Sequence, residues 1–120
     1  MSFIEVKSFA KINLALNVTG KSRLLHKIES IVSFISLCDL ILIKKIKRPD
    51  HQISFYGNFS KNIDSNNTVV KLFKILDEKK LLIGRKFKIR IKKNIPQKAG
   101  LGGGSMNASS VLNFLIKKKL

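Results

Sequence analysis

Residues 96–110, with the sequence PQKAGLGGGSMNASS, constrain the fold of this chain more than any other stretch. Their glycines, Gly100, Gly102, Gly103 and Gly104, permit positive φ angles and a backbone that lies flush against a ligand. The apolar residues that follow recur at helical spacing and are Ala108, Val111, Leu112 and Leu115. A helix is therefore predicted to begin as the glycines end, with Ser105 and Asn107 available for N-capping.

The alternating run Lys86–Lys92 (KFKIRIK) precedes this segment and is predicted to be a strand. The order is therefore strand, proline turn, glycine loop and helix. A glycine loop before a helix N-terminus presents free N–H groups and the positive end of the helix dipole, which suits a phosphate. A flexible loop followed by a capped helix is the alternative interpretation of the same residues.

Two common phosphate loops do not fit the glycine segment. A P-loop requires a Lys-Ser or Lys-Thr pair after its glycines, and no such pair follows here. The dinucleotide-binding fingerprint requires an acidic residue about 20 positions further on, and no carboxylate follows Glu78. A phosphate would therefore be held by another kind of glycine loop.

The composition indicates one small globular domain. The chain has 120 residues, of which 44% are hydrophobic. Its single cysteine, Cys38, excludes an internal disulfide, fits a reducing compartment, and is expected to be a buried core thiol. The N-terminus lacks a signal-peptide pattern, and no apolar run approaches about 18 residues. We therefore expect a cytoplasmic protein that does not associate with a membrane.

The net charge of +17 results from 24 Lys and Arg against 7 Asp and Glu. Such a balance raises the hypothesis of nucleic-acid binding. The cations, however, are spread along the whole chain, and its abundance of Ile, Asn and Phe alongside Lys suggests an A+T-rich coding sequence. Solvated lysine-rich faces are the favoured interpretation, and their field would also attract an anionic phosphate substrate.

The N-terminal part of the chain alternates polar and apolar residues and is predicted to form strands. Residues 3–7 give a short opening strand, and residues 11–18 give a second in which Lys11 and Asn13 share a face. By strand statistics alone, both side chains would face solvent. Residues 26–37 are predicted to be a third strand.

The middle of the chain is predicted to contain two strands, residues 40–47 and Gln52–Tyr56. Residues 48–51 between them have the composition of a hairpin turn, in which His51 is predicted to be solvated. A helix with Asn67 as its candidate N-cap is predicted after a polar loop. The apolar stripe of this helix consists of Val69, Leu72, Phe73 and Leu76. Lys71 and Lys74 lie outside the stripe and are predicted to be solvated.

The glycine segment resembles the phosphate loop of the galactokinase, homoserine kinase, mevalonate kinase and phosphomevalonate kinase (GHMP) superfamily, Pro-x-x-x-Gly-Leu-Gly-x-Ser-Ser. The run AKINLAL at residues 10–16 is similar to that superfamily's opening motif, Ala-Lys-Ile/Val-Asn-Leu. The resemblance extends from Ser8 to Leu115. It implies a two-layer α/β (α+β) N-terminal domain, ribosomal-protein-S5-domain-2-like, with a mixed, mainly antiparallel sheet and helices on one face.

The third consecutive glycine resembles one branch of the superfamily, which transfers the γ-phosphoryl group of ATP to the 2-hydroxyl of a cytidine-diphosphate-linked methylerythritol. That reaction is a step of non-mevalonate isoprenoid synthesis. The resemblance implies ATP as co-substrate, Mg²⁺ as cofactor, and a small-molecule substrate with a cytidine diphosphate group. Another GHMP small-molecule kinase and a basic nucleic-acid-binding module are the alternatives.

The resemblance also implies roles for individual residues. Lys11 would lie next to the reacting hydroxyl and orient the catalytic Asp, and Asn13 would face the substrate. His26 matches a family histidine that hydrogen-bonds the cytosine, although Leu25 replaces the aromatic residue that stacks on that base. The residues expected to contact ATP are Asn67, Lys93, Pro96, Gln97, Lys98, Ala99, Gly100, Leu101, Gly102, Gly103, Gly104, Ser105 and Met106. Ser105 would additionally contact Mg²⁺.

Two of the expected ATP contacts have a plain structural alternative. By the resemblance, Asn67 begins a helix beside the nucleotide base, and a simple N-cap explains it equally well. Lys93 would lie close to the adenine and ribose, or else be surface charge. Met106 stands where the family has a second Ser.

Enzymes of the family are more than twice as long as this chain, and their catalytic Asp lies in a later Gly-Ala-Asp-Val-Pro-like segment. All 7 carboxylates of this chain precede the glycine segment. We therefore expect residues 1–120 to be the N-terminal ATP-binding domain. The missing C-terminal half would be its partner, and the domain alone would have little or no activity.

Overall fold

The computed structural model describes residues 2–10, 37–97 and 103–118 of the chain. The elements within these ranges are β1 (Ile4–Phe9), β2 (Cys38–Ile46), β3 (Gln52–Tyr56), α1 (Thr68–Glu78), β4 (Lys86–Lys92) and α2 (Gly103–Lys117). The predicted strand at residues 11–18 lies outside the described residues, as does the strand at 26–37 except for its last residue.

The described strands form one sheet in the order β1-β2-β4-β3. β1 pairs with β2, and β2 with β4, in antiparallel fashion, whereas β3 and β4 are parallel. The mixed, mainly antiparallel sheet is therefore confirmed.

The predicted hairpin between β2 and β3 is wrong, because β4 lies between these two strands. The physical reason is the difference in apolar content between the two candidate neighbours of β2. β4 buries Phe87, Ile89 and Ile91 completely, whereas no residue of β3 is fully buried. The more apolar strand takes the centre of the sheet, and β3 takes the edge.

Both helices pack on one face of the sheet and close a single apolar core. α1 contributes Val69, Phe73 and Leu76, which confirms its predicted stripe, and α2 contributes Val111 and Leu115. Burial of each large apolar side chain contributes about 1.5–3 kcal/mol relative to exposure. The core residues of the sheet are Ile41, Ile43, Phe87, Ile89 and Ile91.

His51 is packed between the sheet and α1, so the prediction that it is solvated is wrong. Its side chain is only 9% exposed, and its ring centroid lies 4.6 Å from that of Phe73 and 6.1 Å from that of Phe87. The backbone N–H of Phe87 donates to Nδ1 at 3.0 Å, and Nε2 lies 3.1 Å from both carboxylate oxygens of Asp77. Turn composition describes the local backbone and not what packs onto it.

Cys38 is half-buried, in contrast to the expected buried core thiol. It is the first residue of β2, and side chains alternate between the two faces of a strand. The buried position at this end of β2 is instead taken by Asp39. Among the described residues, no helix has both the length and the apolar character required to cross a membrane.

Candidate active site

The two helices begin side by side. Thr68, the first residue of α1, donates its hydroxyl to the carbonyl oxygen of Gly104 in the first turn of α2, at 2.7 Å. A Cβ atom at Gly104 would lie 3.2 Å from this hydroxyl oxygen, a tight contact that the absence of a side chain avoids. The positive ends of two helix dipoles therefore meet at one place, an arrangement that favours an anion.

Asn67 is the N-cap of α1, as the sequence suggested. Its side-chain oxygen accepts hydrogen bonds from the N–H groups of Val69 and Val70, each at 3.1 Å. Its amide nitrogen donates to the carbonyl oxygen of Asp64 at 2.9 Å. The capping contacts explain the residue fully, and its contact with a nucleotide base stays a prediction.

α2 begins at Gly103, inside the glycine run and not after it. Ser105 therefore lies in the first turn, where it is exposed, and Asn107 lies in the second turn, where it is buried. The prediction that these two residues cap the helix is wrong. The positive end of the α2 dipole is therefore directed at the same place as that of α1.

A cleft of about 280 Å³ lies between the two helix starts. Four of the residues expected to contact ATP line it, namely Asn67, Lys93, Gln97 and Gly104. A larger, more open hollow of about 760 Å³ lies at the opposite end of β2 and β4 and contains none of the predicted site residues. The remaining lining residues of the cleft are Phe55, Ile63, Asp64, Asn66, Thr68, Val69, Lys71 and Asn107.

Gln97 ties the polar loop after β3 to the chain that leaves β4. Its side-chain amide donates to the carbonyl oxygen of Phe59 at 2.6 Å and to that of Lys61 at 3.0 Å. The neighbouring Pro96 is half-buried, as is Met106 in α2. Gln97 therefore shapes the wall of the cleft.

Lys93 is buried, with 4% of its surface exposed, so the surface-charge alternative is wrong. Its ammonium group donates to Asp39 Oδ2 and, at 2.7 Å, to Asn107 Oδ1. A Cβ atom at Gly103 would lie 3.4 Å from the same ammonium nitrogen, so α2 begins directly over Lys93. Lys93 borders the cleft, and its charge is engaged inside the protein.

Asp39 is the functional candidate that sequence analysis missed. Its Oδ1 accepts from the N–H groups of Asn94 and Ile95, at 2.7 and 2.9 Å, and its Oδ2 accepts from Lys93 and from Asn107 Nδ2. The signal was present in the strand register, because Asp39 shares the inward face with two core isoleucines. A carboxylate on a buried face needs a cation or several donors.

Ser8, Asp39, Lys93 and Asn107 together form what we call the buried polar cluster. Asn107 Nδ2 completes it by donating to Ser8 Oγ at 2.9 Å. Every buried side-chain nitrogen and oxygen within the described ranges has a hydrogen-bond partner. The cluster thus joins β1, β2, the chain after β4 and the second turn of α2.

Several predicted site residues cannot be compared with the fold. Lys11, Asn13 and His26 lie outside the described residues. The same holds for the centre of the glycine loop, which comprises Lys98, Ala99, Gly100, Leu101 and Gly102. Across the part of the chain that the structure describes, no three His, Cys, Asp or Glu side chains group closely enough to hold a metal ion.

Sequence comparisons agree with this architecture. Residues 67–118, from the cap of α1 to the end of α2, match the family described as GHMP kinases N terminal domain. The 4-diphosphocytidyl-2-C-methyl-D-erythritol kinase of Pelagibacter ubique (strain HTCC1062) is 61% identical over 120 residues, which are 100% of this chain and 43% of that protein. The kinase of the same name from Clostridioides difficile (strain 630) is 40% identical over 113 residues, 93% of this chain and 38% of that protein. The chain thus spans less than half the length of these relatives.

A solved structure, the crystal structure of 4-(cytidine 5'-diphospho)-2C-methyl-D-erythritol kinase, matches 98% of this chain and 39% of its own. The identity is 18% and the TM-score is 0.49. The family match covers both helix starts and β4, and the described sheet and helices have the two-layer arrangement that the resemblance implied. Residues 67–118 of the chain are therefore similar to the N-terminal domain of the GHMP kinases.

Proposed function

We propose that this chain supplies the ATP-binding part of a 4-diphosphocytidyl-2-C-methyl-D-erythritol kinase. The enzyme would transfer the γ-phosphoryl group of ATP to the 2-hydroxyl of its substrate in isoprenoid biosynthesis. The observation that carries the proposal is the meeting of two helix N-termini at one cleft, joined by the hydrogen bond from Thr68 to Gly104. The names of the sequence relatives support the choice of reaction and substrate.

The phosphates of ATP would lie against the first turn of α2. The N–H groups of residues 103–106 would donate to them, and the dipole places positive potential at this end. The exposed hydroxyl of Ser105 adds a donor in the same turn. Lys98 to Gly102 would complete the loop around the phosphates.

The adenine and ribose would occupy the cleft between α1 and the chain that leaves β4. Phe55, Ile63 and Val69 give the cleft apolar surface of the kind that a flat base covers. The side chains of Asn67 and Lys93 are held by internal hydrogen bonds. They would therefore set the shape and position of the walls around the nucleotide.

Mg²⁺ is part of the proposal and fits the donors of this site. In phosphoryl-transfer sites this ion keeps several waters and is bound by phosphates together with one or two protein oxygens. Ser105 offers a hydroxyl oxygen in the first turn of α2. When bound, the ion neutralises charge on the transferred phosphoryl group.

The residues that act on the other substrate are proposed from the superfamily motif. Lys11 would stabilise the charge that develops at the reacting hydroxyl and orient the aspartate that accepts its proton. Asn13 would face the substrate, and His26 would hydrogen-bond the cytosine. The aspartate itself would come from the part of the enzyme that this chain does not span. We place the reaction in the cytoplasm, where the single cysteine would stay reduced.

The test is a chimera in which these 120 residues replace the matching residues of the Pelagibacter ubique kinase. We expect the chimera to phosphorylate the cytidine-diphosphate-linked substrate at a rate on the order of 1–100 per second. The matched control is the same chimera with Lys11→Ala, which should bind ATP and lose turnover. A folded chimera that binds ATP and does not phosphorylate this substrate would contradict the proposal.

A further inference from the structure

We propose that Asn107, Asp39 and Lys93 are positioning residues for the phosphates of ATP. They act by fixing the first turn of α2 and the chain that leads into the glycine loop, because their polar atoms are engaged in hydrogen bonds with one another. The inference rests on the proposed function, because it takes ATP as the ligand of the cleft.

The first turn of α2 has one described side-chain anchor, the hydrogen bond from Thr68 to the carbonyl oxygen of Gly104. It opens with Gly103 and Gly104, which have no side chains, and continues with the exposed Ser105. Glycine is also the residue with the greatest backbone freedom. One hydrogen bond leaves the turn free to rotate about it, and the three hydrogen bonds of Asn107 in the next turn remove that freedom.

The side-chain amide of Asn107 is fully used and its orientation is fixed. Oδ1 accepts from the Lys93 ammonium at 2.7 Å, and Nδ2 donates to Asp39 Oδ2 at 3.0 Å and to Ser8 Oγ at 2.9 Å. A reversed amide would place its NH₂ group against the ammonium and its oxygen against the carboxylate. The second turn of α2 is thereby held to β1, to β2 and to the residue that follows β4.

Asp39 contacts the chain on both sides of the glycines. Its Oδ1 accepts from the backbone N–H groups of Asn94 and Ile95, which precede the glycines at 100–104, and its Oδ2 accepts from Asn107, which follows them. One buried carboxylate therefore sets the distance between the start and the end of the loop. Lys93 balances its charge, which would otherwise be costly to bury.

The experiment compares Asn107→Leu with Asn113→Leu in the 120-residue chain. Asn107→Leu removes three hydrogen bonds and leaves the contact between Asp39 and Lys93 in place. Asn113 is exposed on the same helix and is the matched control. Binding of a fluorescent N-methylanthraniloyl derivative of ATP is measured in the presence of Mg²⁺. The affinities for inorganic tripolyphosphate and for adenosine are then measured by their competition with this fluorescent probe. All measurements are made at a temperature where circular dichroism shows each variant to be folded.

For Asn107→Leu we expect the affinities for ATP and tripolyphosphate to fall at least tenfold and that for adenosine to change less than twofold. Asn113→Leu should bind all three as the unaltered chain does. A merely structural role would lower the affinities for the three ligands equally, and that result would overturn the inference. Unchanged binding of tripolyphosphate would also overturn it.

Failure of the proposed function has a different signature, namely that the unaltered chain binds none of the three probes. Should Asn107→Leu not fold, Ser8→Ala removes a single acceptor of the cluster. Ser8→Ala should lower the affinity for tripolyphosphate about threefold and leave the affinity for adenosine unchanged. An unchanged affinity of Ser8→Ala for tripolyphosphate would then overturn the positioning role.

Discussion

Asp39 holds together more of the described structure than its single position in β2 suggests. Its carboxylate is fully buried and accepts four hydrogen bonds, two from backbone N–H groups and two from side chains. The four donors come from Asn94, Ile95, Lys93 and Asn107. A buried polar group with all partners present is tolerated, whereas the loss of one partner leaves the others without compensation.

At the residue scale we therefore expect Asp39→Ala to destabilise the chain strongly. The change leaves the buried Lys93 ammonium unpaired, which costs about 3–5 kcal/mol. Urea unfolding monitored by circular dichroism measures the free energy of unfolding. Asp50→Ala is the control, because Asp50 is exposed in the turn after β2. Equal free energies of unfolding for the two variants would contradict this view of the cluster.

At the element scale, the end of α1 is held to the start of β4 by Asp77, His51 and Lys86. His51 Nε2 lies 3.1 Å from the Asp77 carboxylate, and the Lys86 ammonium lies 3.4 Å from it. Burial raises the pKa of Asp77. The hydrogen bonds and the attraction of His51 and Lys86 outweigh that effect, so the pKa lies below its ordinary value of 3.8.

This depressed pKa leads to a prediction about acid stability. The contribution of Asp77 is fully present above pH 3.8, its value in the unfolded chain, and is lost as the pH falls through the lower pKa of the folded chain. The free energy of unfolding is measured in urea from pH 7 to pH 3 for the unaltered chain and for Asp77→Asn. The difference between them should be constant at neutral pH and should shrink in acid. A difference that grows as the pH falls would contradict the assignment.

The individual strands and helices could be predicted from the sequence, whereas their arrangement could not. Alternation in Lys86–Lys92 and the stripe of Val69, Phe73 and Leu76 predicted a strand and a helix that the fold contains, because burial on one side imposes these periods. The order of the strands depends on competition between β3 and β4 for the place beside β2, which no local pattern encodes. The environments of His51 and Lys93 likewise arise from contacts between distant elements.

Parts of the candidate site could likewise be predicted from local sequence, whereas others depend on the fold. The glycine run and Asn67 marked the two helix starts from local chemistry alone. Their meeting through Thr68 and Gly104 joins residues 36 positions apart and needed the fold. The burial of Asp39 could have been predicted from strand alternation, since Asp39 shares the inward face of β2 with Ile41 and Ile43.

At the scale of the whole molecule, the net charge of +17 produces a positive potential that acts at the cleft and also at a second, basic surface. The hollow of about 760 Å³ at the far end of the sheet is lined by cations, among them Lys45, Arg48 and Arg85. Any polyanion is attracted to such a surface at low ionic strength. Bulk affinity for ATP alone therefore does not distinguish a specific site from general attraction, and the location of binding is decisive.

The most direct test of the central claim is two-dimensional ¹H–¹⁵N NMR of the 120-residue chain during titration with ATP and Mg²⁺ at about 0.15 M salt, where exposed charges are screened beyond about 8 Å. We expect the amide signals of residues 103–106 and of Thr68 to shift in a saturable manner. The signals of residues 45–48 and of Arg85 should stay in place. Shifts confined to that basic surface, with the start of α2 unaffected, would contradict the assignment of the cleft as the ATP site.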